Sequence, residues 1–200
     1  MSHPIVAITG ASGSCYGVRL LEVLIASGME PYVVVSPAGR QVMALELGSG
    51  DLKDLLGSTG YREEDARDLA SPLASGSFQS NGMVIIPCST GTLGSVAHGV
   101  SSNLIHRAAE VCLKERRPLI LVPRETPLSV ITLQNMLTLA QAGVQVVPAN
   151  PGFYHNPRRV EDLVDFMVAR VLDLMKIPHG LSKRWTGLPG DTILNSLRNE

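Results

Sequence analysis

Successive apolar residues, rather than alternating ones, mark the β-rich runs Pro4–Thr9, Tyr32–Val35, Met83–Ile86 and Leu119–Val122. A strand with one wet face alternates apolar with polar. One that is apolar throughout is buried on both faces, which suits a parallel sheet covered by helices on both sides. Helical spacing lies between the runs. Val18, Leu20, Leu21, Leu24 and Ile25 recur on one face until Gly28. Further helices are predicted around Arg40–Leu47, from about Leu93 to Lys114 with a break near Gly99–Ser102, over Leu128–Ala142, and over Val160–Met175. Val144–Val147 reads as a fifth strand, and residues 48–80 are the least regular part. The pattern predicts a doubly wound, mostly parallel α/β sheet, Rossmann- or flavodoxin-like. With no internal repeat or linker, it is read as one domain over 1–200, with a tail from about 176.

Composition narrows the class of function. Seventeen Lys and Arg against 18 Asp and Glu leave a net charge of -1, which gives no reason to expect nucleic acid or an anionic membrane. The N-terminus has no basic region or cleavage site of a secretory signal, and the apolar runs fall far short of the ~20 residues that span a bilayer. Cys15, Cys88 and Cys112 are odd in number and widely spaced. That argues against a disulfide framework or a CxxC zinc site and favours the cytoplasm. His3, His98, His106, His155 and His179 show no HExxH pattern, so no metal is expected.

In open α/β sheets ligands bind beyond the carboxyl ends of the strands, and three strand ends carry ligand-type loops. Thr9-Gly10-Ala11-Ser12-Gly13 joins a strand to a helix; its glycines permit close backbone approach, and the helix start offers N–H groups to an anion. A plain tight turn explains it equally well. Ser89-Thr90-Gly91-Thr92 follows Pro87-Cys88 and sets three hydroxyls at a helix start. That suits a phosphate, although capping would use one of them. Ser36 ends the second strand at the same edge. Arg124-Glu125 stands in a stiff loop between Pro123 and Pro127, either as a surface ion pair or as site residues.

With these loops in place, the sequence resembles the UbiX family of flavin prenyltransferases. The resemblance is carried by TGASGS with Tyr16-Gly17, PCSTGTL at Pro87–Leu93, NLIHRAAEVCLKERRPLILVPRETPL at Asn103–Leu128, NPGFYHNP at Asn150–Pro157, and VEDLVDFMVARVLD with the downstream Arg184-Trp185. It implies a metal-independent transfer of a dimethylallyl group from dimethylallyl phosphate to N5 and C6 of reduced FMN. The prenylated FMN then serves a UbiD-type decarboxylase. It also implies a dodecameric homo-oligomer with sites between subunits.

Residue roles follow from the resemblance. Glu46 and Glu125 are implied as catalytic carboxylates, with Ser12 as a proton relay. The cofactor-binding set is Gly10, Ala11, Ser12, Ser36, Ser89, Thr90, Gly91, Thr92 and Arg124, the last stabilising negative charge on the flavin. A leaving phosphate without a metal needs cations, and the resemblance supplies Arg107, Lys114 and Arg170, with Tyr154 as a hydroxyl donor and Trp185 as a wall. Asn103, Arg107, Glu110 and Lys114 share one helix stripe, which a solvated face would also explain. Arg170 borders the apolar stripe of Leu163, Met167 and Leu174 and is predicted to be only partly exposed. Glu161, Asp162 and Asp165 lie in a first helical turn, where acids favour the macrodipole. Rival readings are an FMN-dependent decarboxylase of cysteinyl or aromatic acids and a flavin carrier without chemistry.

Overall fold

The computed structural model describes residues 3–182. In chain order its elements are β1 (His3–Ile8), α1 (Ser14–Ala26), β2 (Tyr32–Val35), α2 (Pro37–Leu47), α3 (Leu52–Leu56), β3 (Arg62–Asp65), a 3₁₀ turn at Pro72–Ala74, β4 (Ser80–Cys88), α4 (Thr90–Ala97), α5 (Leu104–Lys114), β5 (Leu119–Pro123), α6 (Val130–Gln141), β6 (Gln145–Val146) and α7 (Val160–Leu174). The six strands form one sheet in the order β3-β2-β1-β4-β5-β6, and every neighbouring pair is parallel. This is the doubly wound α/β architecture that the apolar runs predict.

Strand side chains alternate between two cores. Ile5, Ala7, Tyr32, Val34, Met83, Ile85, Leu119 and Leu121 face α4, α5 and α6. Val6, Ile8, Val33, Val35, Val84, Ile86, Ile120 and Val122 face α1, α2, α3 and α7. Burial on both faces is why these strands carry no polar period.

The strand missing from the sequence reading is β3. Its residues are Arg62, Glu63, Glu64 and Asp65, a run without apolar character inside the segment taken as irregular. Among the described residues β3 pairs only with β2, so it stands at the edge of the sheet. Charge on such an edge blocks pairing with another chain, and it hides the strand from any apolar pattern. Two of its charges are matched locally, Arg62 by Glu30 at 3.0 Å and Glu63 by Arg40.

The order places β1 and β4 side by side although they are distant in sequence. The chain leaves β1 for α1 on one face and β4 for α4 on the other. The crevice between these departures is the topological switch point, where ligands of open α/β sheets bind. Among the described residues, no helix is long and apolar enough to cross a membrane.

Candidate active site

Thr9 pins the two loops of the crevice together. Its N–H and hydroxyl both donate to Pro87 O, at 3.2 and 2.8 Å, and its Oγ1 accepts from Ser89 N–H at 2.8 Å. The side chain is buried, so each bond replaces water that cannot enter. The sequence places Thr9 at the end of a strand and the start of a ligand-type loop; a hydroxyl ending an otherwise apolar run is the signal for the clamp. Valine matches its shape but leaves the Ser89 N–H without an acceptor, at a cost of about 1–3 kcal/mol. Thr9→Val is therefore expected to lower the urea-unfolding free energy by about 2 kcal/mol.

Glu46 reaches from α2 to the start of α1. Its carboxylate accepts from Gly13 N–H at 3.0 and 3.1 Å and from Ser14 N–H at 2.8 Å. Gly13 sits at φ 105° with no side-chain cap of its own, and a Cβ there would meet the Tyr16 ring at 2.9 Å. This corrects the expectation that α1 offers its N–H groups to a bound anion. The protein's own carboxylate already holds those of Gly13 and Ser14, from a residue more than thirty positions away.

The Glu46 carboxyl lies below its ordinary value of 4.5. Burial pushes it up, but hydrogen bonds from the Ser12 hydroxyl and from the Ser14 and Gly13 N–H groups outweigh that push. A carboxyl lowered by folding adds stability above its unfolded pKa and loses it as pH falls through the folded value. The stability gap between the wild type and Glu46→Gln is thus expected at neutral pH and should close below about pH 4.5. Urea midpoints measured across pH 3–7 would read it.

The hydroxyl loop divides its work. Ser89 caps α4 by accepting from Thr92 N–H at 3.3 Å, and its hydroxyl donates to Thr92 Oγ1 at 3.1 Å. Two of the three hydroxyls therefore serve the cap. Thr90 is half-buried, and a Cβ on Gly91 would meet nothing within 4 Å. The N–H groups of a helix's first turn have no intrahelical partner, so open space stands before anion-seeking donors at α4. Ser36 caps α2 through Gly39 N–H at 2.9 Å and keeps its own hydroxyl proton. Gly10 packs on α2 so closely that a Cβ would lie 2.6 Å from that of Ala38, and Ala11 is buried. This donor set, with no cation inside it, fits the phosphate of a mononucleotide such as FMN.

Arg124 closes the mouth from the end of β5. Its Nε donates to Ser12 O at 3.3 Å, so loops following two different strands meet. Glu125 is exposed beside it and accepts from Thr126 N–H at 3.1 Å.

The cations divide between the two faces of the sheet. Arg107 and Lys114 ride on α5. Arg107 donates to Ala74 O at 3.1 Å and pairs with Glu110 at 3.0 Å, while Lys114 pairs with Glu115. Arg170 rides on α7, which packs on the opposite face. The four groups proposed for a second phosphate therefore do not converge within one chain. Arg170 is also more open than predicted. It points away from the core, its side chain 52% exposed and bonded to Asp173 at 3.0 Å. Tyr154 does lie on the Arg170 side: its ring meets Phe166 of α7 edge-on at 5.7 Å, one helical turn before Arg170. Gly152 makes that contact possible, since a Cβ there would sit 2.9 Å from the Tyr154 ring and 3.0 Å from Phe166. Trp185 lies outside the described residues.

The acids of α7 have local work. Asp162 accepts from Arg158 and Arg159 N–H at 2.7 and 3.0 Å, and Asp165 pairs with Arg19 at 2.7 Å. Among the described residues, no cluster of three His, Cys, Asp or Glu side chains is placed to hold a metal ion. All three cysteines are free. Burial raises the Cys88 and Cys112 thiols, the latter to about 11, which removes their thiolates at neutral pH.

Comparison with known proteins gives the family and the fold. The flavoprotein family model matches residues 2–172. Flavin prenyltransferase UbiX of Pseudomonas aeruginosa is 49% identical over 191 residues, covering 90% of this chain and 91% of the relative. The crystal structure of AnUbiX in complex with FMN and dimethylallyl pyrophosphate superposes with a TM-score of 0.88 at 38% identity, covering 94% of this chain and 99% of that one. A dodecameric FMN-dependent UbiX-like decarboxylase from Escherichia coli superposes with a TM-score of 0.86 at 41% identity, covering 92% and 100%. With the switch-point crevice and these likenesses together, the chain belongs to the flavoproteins of the UbiX flavin prenyltransferase family.

Proposed function

We propose that the protein is a flavin prenyltransferase that moves a dimethylallyl group from its phosphate ester to N5 and C6 of reduced FMN. The observation that carries the reading is the division of helix starts at the crevice. Glu46 fills the one at α1, and α4 stays open behind Thr90 and Gly91. The FMN phosphate is assigned to Ser89–Thr92 and Ser36, and the ring to Gly10–Ser12 and Arg124. Reduced FMN supplies the nucleophilic nitrogen when bound. Arg124 stabilises negative charge beside Ser12. The Glu46 carboxylate, kept ionised by its hydrogen bonds, holds the Ser12 hydroxyl, which relays a proton at the flavin edge because a hydroxyl both donates and accepts. Glu125 holds the proton that the second bond-forming step displaces.

The departing phosphate needs Arg107, Lys114, Tyr154 and Arg170 together, and they stand on two faces of one chain. A second copy resolves this by bringing α5 of one subunit to α7 of another. The E. coli relative is a dodecamer, and α6 offers a surface for assembly, with Val130 82% and Ile131 74% exposed. Several large apolar side chains left exposed on one helix favour an interface there. Ile131→Asp is expected to reduce the assembly to smaller species in analytical ultracentrifugation, with the fold retained by circular dichroism. The product passes to a UbiD-type decarboxylase, and the chain acts as one domain with a tail from about 176.

The test is mass spectrometry of flavin extracted after incubation with reduced FMN and either dimethylallyl phosphate or dimethylallyl diphosphate. A gain of one C5 unit supports transfer, and the donor giving it is the substrate. Unchanged FMN would instead favour a decarboxylase or a carrier.

A further inference from the structure

Arg170 is anchored through a buried histidine. Past α7, Lys176 adopts φ 58°, Lys176 N–H donates to Asp173 O at 3.1 Å, and Ile177 N–H donates to Leu172 O at 2.9 Å. This pair of bonds turns the chain back along its own helix. Ile177 and Leu181 then pack on the core, and His179 is carried against Asp173 with only 3% of its side chain exposed. Leu181 N–H donates to His179 Nδ1 at 3.4 Å. Nδ1 is thereby the acceptor and Nε2 carries the proton, which it donates to Asp173 Oδ1 at 3.1 Å. Asp173 Oδ2 accepts from Arg170 Nη1 at 3.0 Å. The line runs from a buried ring, through a half-buried carboxylate, to an exposed guanidinium.

We infer that His179 is a positioning residue for the prenyl-phosphate site: it fixes the Asp173 carboxylate, which aims Arg170 at the leaving phosphate. The inference rests on the assignment of Arg170 to that phosphate. A long arginine held at one end by a charge-assisted bond loses less freedom when it meets an anion, and its other donors remain for the ligand. Without His179 the carboxylate loses the bond that fixes Oδ1, and the direction of the guanidinium held by Oδ2 is less well defined.

The experiment compares His179→Leu, His179→Gln, Asp173→Asn and Arg170→Ala in the full-length, FMN-loaded protein. It reads KM for dimethylallyl phosphate, kcat, FMN affinity and thermal midpoint. His179→Leu is expected to raise KM about tenfold with FMN affinity unchanged. The glutamine amide can still donate to Asp173 and is expected to restore most of the loss. Adding His179→Leu to Arg170→Ala should raise KM no further, because the histidine acts only through the arginine. If His179→Leu lowers FMN affinity and KM performance equally, or glutamine fails to rescue a folded protein, the residue is structural and the inference falls. If Arg170→Ala raises KM while the His179 variants do not, this inference alone fails. If Arg170→Ala leaves KM unchanged, the phosphate assignment beneath it fails.

Discussion

Glu125→Gln is expected to keep FMN bound and to lower prenyl transfer by about 10²–10⁴-fold, the usual contribution of a positioned acid–base group. Glutamine preserves the length and shape of the side chain. It also keeps an oxygen for the Thr126 N–H, which Glu125 accepts at 3.1 Å, so the loop between Pro123 and Pro127 has no reason to move. What disappears is the ability to take up a proton. The exposed carboxyl lies at the mouth of the crevice, next to an arginine that spans to Ser12. It is free of the helix-capping work that occupies Glu46. Flavin absorbance of the purified variant reads binding, and the mass of extracted flavin reads transfer. Wild-type turnover would remove Glu125 from the chemistry.

Arg170→Ala is expected to raise KM for the prenyl phosphate by about 10–100-fold and to leave FMN affinity within about twofold. A hydrogen bond to a charged group contributes about 1.5–3 kcal/mol, and alanine removes every donor of the guanidinium at once. FMN is spared because Arg170 stands on the outward face of α7, its side chain 52% exposed, and is not among the groups assigned to the flavin. Equal losses for both ligands would make the arginine structural. Mixed assemblies add an independent check. If α5 and α7 of different copies share one site, combining Lys114→Ala with Arg170→Ala subunits should recover activity that neither variant has alone.

The buried strands were legible because they are buried on both faces. Burial leaves a short apolar run rich in β-branched residues, and its length and flanking prolines separate it from a buried helix; Met83–Ile86 and Leu119–Val122 lie inside β4 and β5. The amphipathic stripe of α7 was legible for the same reason. β3 was not, since a charged edge strand carries no apolar signal. Among the loops, the three candidates at the strand ends could be picked out because a glycine, a run of hydroxyls and an Arg–Glu pair are local features. The Thr9 clamp joins residues 78 and 80 positions apart, and the Glu46 cap spans 32 and 33. No local pattern encodes either pairing.

The sequence by itself determined the layers, the ligand-bearing edge and the chemistry of its loops, because periodicity and residue type act over a few neighbours. Only the tertiary structure decided which cation stands on which face. A right-handed crossover puts a helix on one face or the other according to the direction in which the next strand is added. That direction reverses between β1–β2–β3 and β4–β5–β6. The crossover helix α5 thereby took Arg107 and Lys114 to one face, and α1 and α2 share the other, where Glu46 meets the start of α1. The helix α7 follows the last strand, and its apolar stripe packs it on the α1 face, which carries Arg170 there.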